Sequence, residues 1–348
     1  MKRARSPFES HRVWLRWFKG ALLIFFALIL AGCSAFSGRS RPPGIAILFA
    51  KQSKNGHETL VLGRYNAKGQ REGPWISIGR LGLVAQTQIM ASHGGNLWIT
   101  TGLSLKQFTQ SGSVRTLWSA PGHSAILSVD YIAGHLWAIV EPIGGRVVDI
   151  YRRQQGHFVN IATGPLAITT LYPAPFDQLG ILRVWPDKAQ VQLWQPDRKS
   201  RQWTVHAVPQ GTMGLTKTKG YLPVTEGLHK FGMASVSLKG THLPSIRFYR
   251  HVSQAVIEVI PSNPLYGITV KGVVALPGSK SRPVPRKWPQ PLLATVTTAV
   301  QSPASWLIIL DGPSQGLWFN PRSDSFGPVF QVTAPKGAFP RAVQPWGG

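Results

Sequence analysis

The chain has 348 residues, of which 43% are apolar, so it is long enough to bury a large core and does not belong to the disordered class. Its 36 Gly and 28 Pro are scattered between short apolar runs, a composition typical of many strands joined by many turns. The single cysteine excludes an internal disulfide framework and any metal site built from several cysteines.

Basic residues dominate the charge, with 38 Lys and Arg against 13 Asp and Glu. Beyond residue 32 the chain keeps 32 bases and 12 acids, a net charge of +20, so the excess belongs to the folded part as well. Such a charge favours anionic surfaces such as lipid headgroups, acidic wall polymers or nucleic acid. A scarcity of carboxylates also fits an acidic habitat, because protonation then disrupts few native pairings.

The N-terminus has the three-part plan of a secretory signal peptide. Residues 1–20 carry scattered positive charge, residues 21–30 form an uninterrupted apolar run, and Ala31-Gly32-Cys33 follows. The run has about half of the ~20 residues that a helix needs to cross a bilayer, which disfavours a permanent span. An uncleaved signal anchor remains the alternative.

Leu30-Ala31-Gly32-Cys33 resembles the lipobox of bacterial lipoproteins. The resemblance implies that residues 1–32 are removed and that Cys33 becomes the lipidated, palmitate-bearing first residue of the mature chain. Two or three acyl chains on Cys33 would anchor it stably in a lipid bilayer. Residues 33–43 are predicted to form a flexible polar tether, and the folded domain is expected to begin near Gly44. Ser34 after the cysteine resembles the signal for the outer membrane where the organism has one.

Beyond residue 44, short apolar runs bounded by Gly, Pro, Asn and Asp recur without a sustained helical period. Examples are residues 45–49, 97–100, 136–140 and 306–310. Each run has the length of a strand. The sequence therefore predicts an all-β domain.

An internal repeat emerges from strands followed by a polar turn and another strand. Its anchoring aromatic residues are Tyr65, Phe108, Tyr151 and Trp194, each 43 residues after the last. This period matches a four-stranded propeller blade, about 40 to 45 residues. The mature chain thus resembles WD40-like and YVTN-like β-propellers in period and pattern, although their signature motifs are absent.

Residues 44–348 accommodate seven such blades, with six as the alternative count. The spacing breaks between residues 209 and 300, where the Pro- and Lys-rich segment 277–291 is predicted to be an irregular insertion. A pair of β-sandwich domains divided near residue 210 is the competing architecture, but it does not explain the period.

The tryptophans are interpreted mainly as packing residues between blades. Trp98, Trp137 and Trp185 are expected at comparable strand positions. Trp288 and Trp346 lie in irregular segments and are expected to be exposed.

Three acids are candidates for a pocket or rim site. Glu141, Asp187 and Asp311 each follow the second strand of a predicted blade. In a propeller these turns share one end of the ring, where carboxylates could bind a cation or act as acid and base. Asp, Gly and Pro are also ordinary turn formers, so a purely structural role is the competing interpretation.

Two basic groups are candidates for contact with an anionic surface, weakened by salt. They lie in predicted turns between outer strands and are Arg152, Arg153, Arg198, Lys199 and Arg201.

No motif for a nucleophile, a phosphate loop, a dinucleotide or a metal occurs, so no cofactor or metal is predicted. The leading hypothesis is a non-catalytic binding or scaffold module in the extracytoplasmic cell envelope. Its expected partners are the lipid bilayer and an anionic envelope polymer, an envelope protein or a small ligand, while nucleic acid is not expected. The alternative is a propeller enzyme, such as a lyase, hydrolase or quinoprotein-like oxidoreductase, with its site in the central pocket.

Overall fold

The structure is a computed structural model. It describes residues 44–348 except 53–56, 83–87, 175–177, 196–197, 211–212, 217, 227–229, 240–241, 250–255, 261, 263–264, 270–271, 277–284, 288–295, 302–305, 311–314, 328 and 347–348. The predicted signal peptide and tether, with Cys33, lie outside this part. Within it, no helix is long and apolar enough to span a membrane.

Thirty strands account for the regular structure of the described residues. The first fifteen are β1 (Gly44–Gln52), β2 (Glu58–Tyr65), β3 (Ile76–Arg80), β4 (Met90–His93), β5 (Asn96–Thr100), β6 (Ser104–Phe108), β7 (Val114–Ser119), β8 (Ser124–Ile132), β9 (His135–Pro142), β10 (Val147–Gln154), β11 (His157–Pro165), β12 (Ile168–Ala174), β13 (Gln178–Val184), β14 (Ala189–Gln195) and β15 (Arg198–Val205). The second fifteen are β16 (Val208–Pro209), β17 (Gly214–Leu215), β18 (Lys219–Glu226), β19 (Lys230–Ser237), β20 (Ser245–Phe248), β21 (Val256–Ile260), β22 (Leu265–Thr269), β23 (Gly272–Leu276), β24 (Pro285–Lys287), β25 (Val296–Gln301), β26 (Trp306–Leu310), β27 (Gln315–Asn320), β28 (Ser325–Phe326), β29 (Phe330–Gln331) and β30 (Ala338–Trp346).

These strands form seven antiparallel sheets with four strand positions each. From the first strand outward, the blades are β30-β1-β2-β3, β4 to β7, β8 to β11, β12 to β15, β16/β17-β18-β19-β20, β21 to β24, and β25-β26-β27-β28/β29. The first strands β25, β30, β4, β8, β12, β17 and β21 contact one another in this order around an axis. The protein is therefore a seven-bladed β-propeller, as the 43-residue period predicts.

The ring is closed by strands from the two ends of the domain. β30 supplies the first strand of blade 1 and pairs antiparallel with β1, from Gly44 opposite Trp346 to Lys51 opposite Ala338. This pairing gives β1 a partner on both sides and leaves as the inner edge of the sheet only β30, which faces the axis and is protected there from pairing with other chains.

The core lies between the blades. Seven hydrophobic clusters each join two neighbouring blades and together complete the circle. Burial falls from the axis outward: β9 buries five consecutive residues, whereas four of the six residues of the outer strand β7 are exposed. A second strand is covered on both faces by adjacent blades, which explains its continuous apolar sequence.

Tryptophan positions agree only in part with the expectation from sequence. Trp98 and Trp137 occupy the third residue of second strands β5 and β9 and pack between blades. Trp185 instead follows the end of β13, so the prediction that it occupies the same strand position as Trp98 and Trp137 is wrong. Trp346 is only 8% exposed, because it ends the closing strand and its Nε1 donates to the carbonyl of Gly95 over 3.0 Å. Trp288 lies outside the described residues.

Antiparallel strand order defines two ends of the ring. The lower end carries the turns between first and second strands and between third and outer strands. The upper end carries the turns between second and third strands and the connections between blades. Within the predicted insertion 277–291, residues 285–287 form β24, which pairs with β23.

Candidate functional site

A cavity of about 600 Å³ opens at the lower end of the ring between blades 2 and 3. We call it the interblade pocket. Its walls include the side chains of His93, Trp98, Tyr131, His135 and Arg153. Three two-residue turns with positive φ border it, namely Gly94-Gly95, Ala133-Gly134 and Gln155-Gly156. Such tight turns end the hairpins abruptly and leave room above the walls.

Aromatic rings from both blades form one wall of the pocket. The ring of Tyr131, on the first strand of blade 3, is stacked with His93 at a centroid distance of 4.1 Å. The same ring is stacked with Trp98 at 5.2 Å and an interplanar angle of 3°. The imidazole of His93 is exposed, whereas Trp98 is only 6% exposed. The wall therefore offers a flat, solvent-facing ring on a rigid aromatic base.

Two buried donors of this pocket lack a hydrogen-bond acceptor in the described part of the chain: Nε1 of Trp98 and Nε of Arg153. Other tryptophans differ in this respect. Nε1 of Trp137 donates to the carbonyl of Ile132 over 3.1 Å, and Nε1 of Trp318 donates to that of Ala67 over 3.1 Å. Buried donors are normally paired, so each exception requires an explanation.

Two amide side chains of the pocket, those of Gln107 and Asn96, have engaged oxygen atoms. Oε1 of Gln107 accepts two bonds from Arg115, at 3.0 and 2.8 Å. Nε2 of Gln107 donates to Oδ1 of Asn96 over 2.9 Å. No Asp or Glu is among the lining residues. Arg153 therefore gives the lining a positive charge that no acidic side chain of the lining balances.

A second group of polar side chains lies on first strands close to the axis. We call Ser128, Asp130, Tyr172 and Glu258 the axial cluster; they come from blades 3, 4 and 6. Oγ of Ser128 donates to Asp130 over 3.0 Å. Oη of Tyr172 accepts from the backbone N–H of Met213 over 3.1 Å, which brings blade 5 to the same place.

Burial controls the ionisation of this cluster. Asp130 is 5% exposed, and desolvation raises the pKa of its carboxyl to about 7, opposed by the hydrogen bond from Ser128. The pKa of Tyr172 is also raised, first by burial and further by the negative charges of Glu258 and Asp130, while the Met213 N–H acts in the opposite direction. The arrangement can hold a proton that is exchanged near neutral pH.

The acids predicted from sequence lie elsewhere. Glu141 is partly buried near the end of β9, and Asp187 is exposed in the turn between β13 and β14, both at the upper end. Asp311 lies outside the described residues. Their grouping around a pocket stays a prediction. In the described part of the chain, no set of three or more His, Cys, Asp or Glu residues is placed to hold a metal ion.

Because side chains alternate between the two faces of a strand, neighbouring members of the predicted basic groups do not share one surface. Arg152 and Arg153 belong to the end of β10, just before the turn where they were expected, and point to opposite faces of blade 3. Arg152 lies over Trp137 at 5.6 Å, whereas Arg153 lines the interblade pocket. Arg201 lies over Trp203 at 5.9 Å. Arg198 and Lys199 begin β15, and their side chains are outside the described part.

Sequence reasoning missed Trp98 and Tyr131 as pocket residues and missed the axial cluster. A signal existed for the cluster, since Asp130 and Glu258 are single acids inside apolar strands, in Leu127-Ser-Val-Asp-Tyr-Ile132 and Val256-Ile-Glu-Val-Ile260. Burying a charged group costs free energy, so an acid in such a strand indicates a functional or structural role for its carboxyl group. No comparable signal marked Trp98, because its pattern is that of a core residue.

Similarity to solved structures supports the propeller fold. A 6-phosphogluconolactonase-like protein of Bacteroides uniformis has a TM-score of 0.54 and 12% identity, covering 87% of this chain and 99% of its own. Virginiamycin B lyase of Staphylococcus aureus, an inactive variant crystallised with quinupristin, has a TM-score of 0.53 and 11% identity, covering 76% and 92%. At these identities the likeness concerns the fold alone. No protein-family model and no curated protein sequence matches the chain.

Proposed function

We propose that this protein is a non-catalytic binding module held by a lipid on Cys33 at the outer face of a membrane, the outer membrane in a diderm organism. The interblade pocket is its ligand site. The observation that carries the proposal is the pair of buried, unpartnered donors on Trp98 and Arg153 beside an open cavity. An unmade hydrogen bond in a buried place costs about 1–3 kcal/mol, and an acceptor would recover it after a local shift of the side chains that now cover both atoms.

Binding fits the pocket better than catalysis does. Its lining contains no carboxylate that could act as a base and no nucleophile ordered by one. Two histidines are present, but His93 is engaged in ring stacking with Tyr131. A cavity of this volume is within the range of small-molecule sites, about 300–1,000 Å³.

The proposed membrane anchoring is tested by fractionation of cells of the native host. We expect intact mass to show that the mature chain begins at a diacylated Cys33, and we expect this chain to sediment with membranes. The Cys33→Ala variant should remain in the soluble fraction. An uncleaved chain that stays in the membrane without Cys33 would identify residues 21–31 as a signal anchor instead.

The binding role is tested with the soluble Cys33→Ala chain and isolated envelope material. We expect co-sedimentation that Arg153→Glu abolishes and Arg152→Glu leaves intact, because only the first side chain lines the pocket. Equal loss in both variants would indicate attraction by the overall charge of the surface rather than a site.

An enzyme of the central pocket is the second candidate, favoured by the axial cluster. A carboxyl with a pKa of about 7 can donate or accept a proton at neutral pH, and Tyr172 lies within its electrostatic reach. The solved neighbours are described as a lactonase-like protein and a lyase, so lactone opening and elimination are the reactions to assay first. Turnover that survives Asp130→Asn and Tyr172→Phe together would exclude the axial cluster as its site.

A further inference from the structure

The unpartnered donors of the interblade pocket define one property of its ligand. Nε1 of Trp98 can donate but cannot accept a hydrogen bond, and the same holds for Nε of Arg153. Both atoms are covered by neighbouring groups, so water does not reach them in the described structure, and a ligand atom of similar size reaches them only when those groups move. A group that satisfies both must present acceptor atoms.

The positive charge of the pocket indicates which type of acceptor group the ligand carries. Arg153 brings a full positive charge, and the lining contains no acid to neutralise it. Arginine forms its strongest hydrogen bonds with carboxylate and phosphate oxygens, which match the fork of its guanidinium group. The chain beyond residue 32 also carries a net charge of +20, which raises the local concentration of anions. An oxyanion is therefore the group that the inner wall would recognise.

The remainder of the pocket indicates what carries this anion. His93 presents an exposed ring that is held flat by the stacked rings of Tyr131 and Trp98. Flat aromatic surfaces bind the faces of rings. A cavity of about 600 Å³ has room for one or two ring-sized residues in addition to the anion. Apart from the adjacent residues, no atom of the described part of the chain lies within 4 Å of the Cβ positions built on Gly94, Gly134 and Gly156, so a longer chain could leave over these turns.

We propose that the interblade pocket binds an acidic sugar, with its ring against His93 and with its oxyanion on Arg153 and, after a local side-chain shift, on Trp98 Nε1. The proposal rests on the proposed binding function and specifies its ligand class. A carboxylate and a phosphate on the sugar share this chemistry, and the test below separates them.

Isothermal titration of the full-length protein tests the ligand class with four probes of known structure. These are an oligosaccharide of glucuronic acid, the neutral glucose oligosaccharide of equal length, glucose 6-phosphate and inorganic phosphate. We expect saturable binding of one or both acidic sugars, no saturation with the neutral one, and inorganic phosphate at least ten-fold weaker. The stronger of glucuronate and glucose phosphate identifies the oxyanion.

Variants assign the contacts. Trp98→Phe and Arg153→Gln each remove a donor to a charged group and should weaken the acidic sugar about ten- to hundred-fold. Their matched controls, Trp203→Phe in a different interface and Arg152→Gln on the opposite face of β10, should bind as the parent does. His93→Ala should weaken the sugar probes while leaving the weak binding of inorganic phosphate unchanged.

A stability measurement separates a ligand contact from a structural one. Trp98→Phe loses core packing but no hydrogen bond in the described structure, so it should lower the melting temperature of the ligand-free protein less than Trp137→Phe, which loses both. A loss of stability as large as that of Trp137→Phe would overturn the assignment.

Other results would overturn the ligand class alone. Equal binding of neutral and acidic oligosaccharides excludes the oxyanion, and equal binding of inorganic phosphate excludes the ring. Tighter binding of a DNA oligonucleotide than of any sugar would place the ligand among nucleic acids. If no acidic sugar binds while envelope material still requires Arg153, the inference fails and the proposed function stands.

Discussion

The buried carboxyl of Asp130 makes a prediction about stability and pH. Asp130 is 5% exposed on the first strand of blade 3, and burial raises its pKa to about 7 from an ordinary value of 3.8. In the unfolded chain the group is ionised above about pH 4, whereas in the folded protein it keeps its proton up to about pH 7. The folded state therefore binds more protons in this interval.

The sign and size of the effect follow from proton linkage. Stability falls with increasing pH wherever the folded state binds more protons, so the contribution of Asp130 is most favourable below pH 4 and is lost as pH rises to about 7. The two pKa values, at 1.36 kcal/mol per unit, correspond to a loss of about 4 kcal/mol. Above pH 7 the loss is complete and constant.

Asp130→Asn removes the ionisation while keeping an acceptor for the hydroxyl of Ser128. We expect the variant to match the parent in thermal unfolding at pH 4 and to exceed it by up to about 4 kcal/mol at pH 8, or about 8 °C at roughly 2 °C per kcal/mol. Asp187→Asn, at an exposed turn, is the control. The reasoning is refuted if Asp130→Asn and the parent lose stability in parallel between pH 4 and pH 8.

Three further substitutions test the fold. Val343→Asp places a charge in the closing strand, opposite Ile47 and 2% exposed, and should cost several kcal/mol and populate aggregates in size-exclusion chromatography. Tyr65→Phe removes the hydroxyl that donates to the carbonyl of Thr333 and should lower the free energy of unfolding in urea by about 1 kcal/mol; an unchanged midpoint would contradict that bond. Trp137→Phe loses the bond to Ile132 and should cost about 1 kcal/mol more in the same titration than Trp98→Phe, whose N–H has no acceptor among the described residues.

The repeat could be predicted from sequence because the same local pattern of strands and turns recurs along the chain. Tyr65, Phe108, Tyr151 and Trp194 all lie on third strands, β2, β6, β10 and β14, and their equal spacing reports the length of one blade. Strand-sized apolar runs and turn residues recur within each unit, so the period needs no knowledge of distant contacts.

The irregular half of the ring could not be predicted in the same way. In blade 5 the first position is divided between β16 and β17, which both pair with β18, so no single apolar run marks it. β30 pairs with β1 across almost the whole domain, and such a register depends on hydrogen bonds between residues far apart in sequence. Trp346 was expected to be exposed for this reason and is instead buried.

The site was harder to predict because pocket residues come from different blades. Trp98 has the pattern of a core tryptophan, and only the position of Tyr131 on the next blade turns it into a pocket wall. Arg153 was predicted as a candidate contact, but its difference from Arg152 arises from alternation along β10. The predicted acids followed turns, whereas Asp130 lies within a strand.

One strand, β8, carries both groups of functional candidates. Val129 and Tyr131 pack against blade 2, whereas Leu127 and Ile132 pack against blade 4. Asp130 therefore belongs to the axial cluster and Tyr131, the next residue, to the interblade pocket. The register shift between Ile126 and Ser128 is what sets this alternation. A bulge inserts one residue and redirects the side chains that follow it, so the same irregularity turns the acid toward blade 4, which carries Tyr172, and the aromatic ring toward the pocket.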